Sequence, residues 1–206
     1  MSSHTVQALL DRHGSTYAAD AGIKLADKPS PLWQLLVLSL LMSARIGSGI
    51  AVAAASELNK AGYRTPRKMA DATWQQRVDA LGRGHYRRYD ERTATMLGET
   101  AEKVLDEYGG DLRRIREQDV HQRLQQFKGI GPTGATIFCR EVQGVWPELA
   151  PYVDDVAAKG AERLKLPTSA DKLAGMVSRD DFPRLVAGCV RAARDKKVVA
   201  DVLGDP

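Results

Sequence analysis

A chain of 206 residues can bury a sizeable core, as one large domain or two small ones. With 43% apolar and 27% charged residues it has the composition of an ordinary soluble globule, and a net charge of +4 suits a polyanionic partner without requiring one. The two cysteines, Cys139 and Cys189, lie far apart and outside any ligand spacing, so no disulfide framework or zinc site is implied.

The N-terminus carries no signal peptide, so a cytoplasmic protein is expected. Val6 to His13 predict a short helix, followed by an irregular, mildly basic stretch with Lys24 and Lys28 that ends at Pro29-Ser30-Pro31. From Leu32 to Met42 the residues are apolar almost all the way round, so this helix must be surrounded by protein. The run is too short to span a bilayer, and no membrane contact is expected. Ser43-Ala44-Arg45-Ile46-Gly47 ends it. A small-residue helix follows, with Ala51, Ala54, Ala55 and Leu58 on one face, and Ala61-Gly62 stops it. Thr65-Pro66 opens another segment, and Asp71-Ala72-Thr73-Trp74 begins the next.

The loop Gly82-Arg83-Gly84-His85-Tyr86-Arg87-Arg88-Tyr89 interleaves arginine, aromatic residues and glycine, the composition of a surface that touches phosphates and a base. A solvated basic loop with Tyr86 packed inward is the alternative. The helix from Glu91 to Tyr108 carries Ala94, Leu97, Ala101, Val104 and Leu105 on one stripe and ends at Gly109-Gly110.

Val120, Leu124 and Phe127 then recur at helical spacing, as do Ala135, Ile137, Phe138 and Val142. Between them lies Lys128-Gly129-Ile130-Gly131-Pro132-Thr133-Gly134. Its first two glycines permit positive φ and the close approach of another backbone. Ile130 is an apolar plug between the two helices. Pro132 and Thr133 suit the opening of the second helix, whose free N–H groups can seat a phosphate. A plain helix–turn–helix corner with no ligand fits the same residues. Further on come Gly144-Val145-Trp146-Pro147, Pro151-Tyr152-Val153-Asp154-Asp155, and a helix marked by Ala157, Ala161 and Leu164. Ser169 to Leu203 predict two more helices, with Arg191, Arg194, Lys196 and Lys197 as a solvated face. Cys139 and Cys189 fall on apolar helical stretches and are expected to be buried. No strand and no internal repeat is evident, so the fold class is all-α.

In this order the hairpin, the Trp-Pro loop and the aspartates resemble the helix-hairpin-helix (HhH-GPD) DNA glycosylases of the endonuclease III superfamily. Their pattern runs L-P-G-V/I-G-x-x-T-A, then a G-W-P-like loop and a catalytic aspartate at a helix start. Here Phe127 replaces the leucine, Lys128 the proline and Gly134 the threonine. The resemblance covers Leu32 to Leu166. It implies a six-helix barrel with the hairpin over residues 30–140, and a second helical domain, from residues 1–29 and 141–206, that carries the aspartate.

It also implies excision of a damaged or mispaired base flipped out of double-stranded DNA. Lys128, Gly129, Ile130, Gly131, Thr133 and Gly134 would hold phosphates, with Na+ or K+ as a further ligand of the Phe127 and Ile130 carbonyls and no other cofactor. Arg45, at the end of the buried helix, would fill the gap left by the base. Arg83, His85, Tyr86 and Arg88 would meet DNA at the edge of the base pocket, with Arg92 as a following basic position. Cleaving an N-glycosidic bond builds positive charge on the sugar, so a nearby carboxylate stabilises the transition state and can guide a water. Ala157, Ala161 and Leu164 fall three, seven and ten residues after Asp154, the phase seen after the family's aspartate. That favours Asp154, with Asp155 next in line because alkyl-base glycosylases with a paired aspartate rely on the second. Asp154 also suits a helix N-cap.

Thr133 occupies the position where bifunctional members carry a lysine. Threonine cannot form an imine, so the resemblance implies a monofunctional enzyme that uses water. Lys128 and Lys159 lie near in sequence but not at the matching position. Ser39 stands where adenine-specific relatives carry a glutamate, and two cysteines cannot build the four-cysteine iron–sulfur cluster of many relatives. A cytoplasmic monomer is expected, associated with the nucleoid if the source is bacterial. The alternative is a non-catalytic DNA-binding protein of the same fold that recognises damage or structure.

Overall fold

A computed structural model describes residues 2–204, among which helices, turns and loops occur without a strand. The α-helices in chain order are α1 (Ser2–His13), α2 (Tyr17–Asp20), α3 (Pro29–Ser43), α4 (Ser48–Lys60), α5 (Pro66–Asp71), α6 (Trp74–Arg83) and α7 (Asp90–Tyr108). They continue with α8 (Val120–Leu124), α9 (Pro132–Val142), α10 (Asp155–Arg163), α11 (Ala170–Ala174), α12 (Phe182–Arg194) and α13 (Lys196–Leu203). The all-α expectation holds. No helix among the described residues is long and apolar enough to cross a membrane.

The chain divides into two compact units, residues 18–139 and residues 1–17 with 140–206. Residues 18–29 therefore group with the central unit, whereas the sequence assigned them to the termini. Ala18, Ala21 and Ile23 are buried, and Asp27 pairs with Arg116 of the same unit at 2.9 Å. The second boundary falls inside α9, between Cys139 and Arg140.

In the central unit α3 is the core. Leu32, Trp33, Leu35, Leu36 and Leu38 are almost wholly inaccessible, as a helix apolar on every side must be. It starts earlier than the sequence suggests, because Pro29 opens it, where a missing N–H costs nothing. Around it α3 packs on α4, α4 on α6, and both α5 and α6 on α7. Thr65 caps α5, and a reciprocal Thr73–Gln76 capping box starts α6. Arg77 ties three helices together: its guanidinium donates to the carbonyls of Met69, Ala72 and Ala94 at 2.8–3.0 Å. Gly109, with φ 61°, closes α7 in the left-handed conformation expected of its glycine pair.

In the second unit α10 lies against α12, and α1 and α13 complete the layer. A side chain at Gly160 would collide with the Cys189 carbonyl, so α10 meets the α12 backbone directly. Three helices rather than two follow Ser169. The break between the last two comes at Asp195, whose extended backbone stops α12 and whose carboxylate caps α13 through Lys197 N at 2.8 Å. Both cysteines are buried as expected.

Candidate active site

The hairpin is built as a tight turn between α8 and α9. Phe127 N donates to the Leu124 carbonyl at 3.1 Å, and Ile130 N to the Phe127 carbonyl at 3.0 Å. Phe127 and Ile130 are buried, which makes Ile130 the plug its sequence position suggested. Gly129 has φ 90°, and a Cβ there would lie 2.6 Å from Met96 Sδ. Gly131 differs. It is not among the positive-φ residues, and a Cβ there would meet nothing within 4 Å. Only the first glycine is thus demanded by the fold, and the second leaves an open surface beside the start of α9.

Lys128, Gly129, Gly131 and Thr133 are exposed, and Lys128 Nζ lies 3.1 Å from Glu99. Two of the residues expected at a phosphate are not exposed. Gly134 is buried against the end of α3, where a Cβ would collide with Ser43 Oγ, so it faces the core. The Ile130 side chain is equally hidden, which leaves only its backbone for a partner.

The basic segment is also rearranged. Gly82 and Arg83 belong to α6, and Arg83 Nε sits 3.5 Å from Glu57. His85 is exposed with φ 62°, a left-handed turn without glycine. Arg88 stacks over Tyr89 at 5.2 Å. Tyr86 is fully buried, so the inward-packed alternative holds and it cannot lie on an open surface. Burial pushes its phenol above the usual tyrosine range, and Thr93 Oγ1 donates to its oxygen at 3.3 Å.

Tyr86 is nevertheless among the residues lining a cavity of about 240 Å³. Ser43, Ala44 and Arg45 border it from the end of α3, Tyr89 from the loop, and Arg92 and Met96 from α7. Arg45 and Tyr86 are thereby brought to one place, while Arg83, His85 and Arg88 are not part of the lining. Arg45 and Arg92 are exposed. Ser39 is buried and its hydroxyl donates to the Leu35 carbonyl at 2.9 Å, so this position offers no polar group to a ligand.

In the second unit the aspartates separate clearly. Asp154 is the N-cap of α10, accepting from Val156 N and Ala157 N at 3.4 Å, with a side chain 12% exposed. Asp155, the first helical residue, is exposed, as is Lys159. Asp154 Oδ1 lies 3.5 Å from Nη1 of Arg140, whose side chain is 6% exposed. The stretch before Asp154 is held by Gln143. Its amide nitrogen donates to the carbonyls of Arg140 and Tyr152 at 3.0 and 2.9 Å, and its oxygen accepts from Tyr152 N at 2.8 Å. Sequence reasoning missed Arg140 and Gln143. The signal was there: two charges, Arg140 and Glu141, and an amide, Gln143, directly after the apolar Ile137-Phe138-Cys139 and shortly before the Trp-Pro loop.

Two solved structures share this fold. A trapped endonuclease III–DNA covalent intermediate, the estranged-adenine complex, aligns over 93% of this chain and 85% of that one at 15% identity and a TM-score of 0.50. A non-covalent endonuclease III–DNA complex aligns over the same shares at 17% identity and the same TM-score. No family model and no curated protein matches the sequence. The chain has the all-helical, endonuclease III-like fold.

Proposed function

We propose that the protein is a DNA base-excision glycosylase that hydrolyses the N-glycosidic bond of a flipped, damaged or mispaired base. The observation that carries this is Asp154: a sheltered carboxylate at a helix start, next to a buried guanidinium, in an endonuclease III-like fold. There a fixed negative charge can stabilise an oxocarbenium-like sugar. Asp154 is favoured over Asp155, which is solvated and has no comparable setting.

Thr133 supports a monofunctional enzyme, because its hydroxyl cannot replace a Schiff-base lysine. The exposed backbone at Gly129 and Gly131 and the start of α9 suit a DNA phosphate. Lys128 adds a cation beside it, and Arg45 suits the gap left by the base. The carbonyls of Phe127 and Ile130 are the groups that would hold a monovalent ion, although that of Phe127 already accepts one hydrogen bond. The substrate is lesion-bearing duplex DNA, bound by a monomer in the cytoplasm, on the nucleoid in a bacterium.

The test is a panel of duplexes carrying uracil, thymine glycol, hypoxanthine, an alkylated purine or an 8-oxoguanine mispair, each incubated with and without alkali. Strand breaks that need alkali, and that vanish in Asp154→Asn but persist in Asp155→Asn, are the expected result. Breaks without alkali would overturn the monofunctional assignment. Salt-sensitive duplex binding without excision of any base would leave a non-catalytic DNA binder instead.

A further inference from the structure

Burying a guanidinium is costly unless it is paired, and Arg140 is buried near the end of α9. Its Nη1 is sealed from solvent and makes no hydrogen bond, while Asp154 Oδ1 stands 3.5 Å away. The distance marks an ion pair whose hydrogen bond is not closed. Asp154 is held equally loosely by its own helix, with both amide contacts at 3.4 Å. The frame around this pair is tight: Gln143 joins the Arg140 carbonyl to both backbone groups of Tyr152, two residues before Asp154. One helix end therefore supplies the cation and also fixes the loop that delivers the acid. Glu141, the neighbouring buried acid, accepts from Tyr17 N at 3.2 Å.

Resting on the assignment of Asp154 as the catalytic acid, we infer that Arg140 is its positioning residue. The guanidinium aims the carboxylate and fixes its position, without touching DNA. A carboxylate held only by two long amide contacts would otherwise swing between cap and solvent geometries. Catalysis by a fixed charge loses most when that charge is displaced, since a shift of about 1 Å can cost on the order of 100-fold.

The experiment uses the five duplexes of the excision panel under single-turnover conditions, with duplex affinity measured separately by anisotropy. Arg140→Gln should lower the excision rate by about 100-fold with affinity unchanged. Arg140→Lys, which keeps the cation but not the planar fork, should fall between Arg140→Gln and wild type. In an Asp154→Asn background Arg140→Gln should cost nothing further, because coupled residues are non-additive. An unchanged rate in Arg140→Gln, or a loss that adds in full to that of Asp154→Asn, would overturn the inference while leaving the glycosylase assignment intact. Should Arg140→Gln fail to fold, Arg140→Lys decides: slower excision at unchanged affinity supports the role, and a wild-type rate overturns it. Failure of the wild-type protein to excise any of the five bases would overturn the functional assignment, and this role with it.

Discussion

Gly134 and Ser43 occupy the same space: a methyl group on the glycine would collide with the serine hydroxyl, which donates to the Ser39 carbonyl at 2.7 Å. The same methyl would sit 3.1 Å from Ile130 Cγ2. The helix-hairpin-helix pattern that the sequence resembles has threonine at this position. The departure has a local cause, since the first turn of α9 rests on the last turn of α3 with a serine between them. Gly134→Ala should destabilise the protein by about 1–3 kcal/mol, the range for overpacking. Removing the hydroxyl in Ser43→Ala should relieve part of that, so the double variant should be more stable than the sum of the single effects. Urea unfolding of the four proteins measures this, and an unperturbed Gly134→Ala would refute the contact.

Arg45 differs in kind, being exposed and lining the same cavity as Tyr86. Surface substitutions away from packed features change stability by less than about 0.5 kcal/mol. Arg45→Ala should therefore leave the melting temperature near that of wild type while weakening duplex binding. If Arg45 contacts a phosphate, the slope of log K against log salt should fall by about one unit. If it instead fills the gap in the base stack, affinity should fall with the slope retained. Anisotropy across a salt series separates the two, and unaltered binding would remove Arg45 from the interface.

Much of this was legible in the sequence because a few segments admit one solution. The Leu32–Met42 run, apolar on every face, had to become the central helix, and the Gly129–Ile130–Gly131 corner had to bury Ile130. Asp154 was legible as a cap because the apolar phase of Ala157, Ala161 and Leu164 fixed where α10 begins. What remained hidden depends on which side of a loop faces inward. Tyr86 sits among arginines, which leaves both an exposed and an inward-packed ring open in the sequence, and it is buried after the left-handed turn at His85, where Thr93 of α7 donates to its hydroxyl. Arg140 carried a signal that could not be assigned a role, for a related reason. A charge on an apolar stripe is explained only by its partner, and Asp154 lies beyond the Trp-Pro loop.

The two thiols give a prediction that needs no DNA. Burial pushes Cys189 and Cys139 up to about 12, with Asp119 adding repulsion at Cys139. The thiolate is the reactive form, so neither cysteine should react with a thiol reagent at pH 8 in the native protein, and both should react in denaturant. The linkage sign follows from the raised folded values. The unfolded chain loses these protons first, near the ordinary thiol value, so the buried thiols favour folding below that pH. Their contribution fades as pH rises toward 12. Rapid native labelling of either cysteine would contradict their enclosure.

Gln143 offers the sharpest test of the frame beneath Asp154, because its amide works in both directions. The nitrogen serves two carbonyls while the oxygen takes the Tyr152 N–H. Gln143→Leu removes all three bonds and strands buried polar groups, which should cost about 1–3 kcal/mol. Gln143→Glu is the more informative change. It keeps the acceptor for Tyr152 N but sets a carboxylate against the carbonyls of Arg140 and Tyr152, and only the protonated acid, with its single O–H, can donate to one of them. The new carboxyl should therefore have a raised pKa in the folded state. Its variant should be nearest to wild-type stability in acid and lose stability as pH rises through that value. Unfolding midpoints of wild type and both variants between pH 4 and 8, taken as differences, measure the effect, with that window set by ordinary carboxylates near about 4.3. A pH-independent penalty for Gln143→Glu would mean that the two carbonyls do not need the donor, and the clamp would then not be what fixes the chain ahead of Asp154.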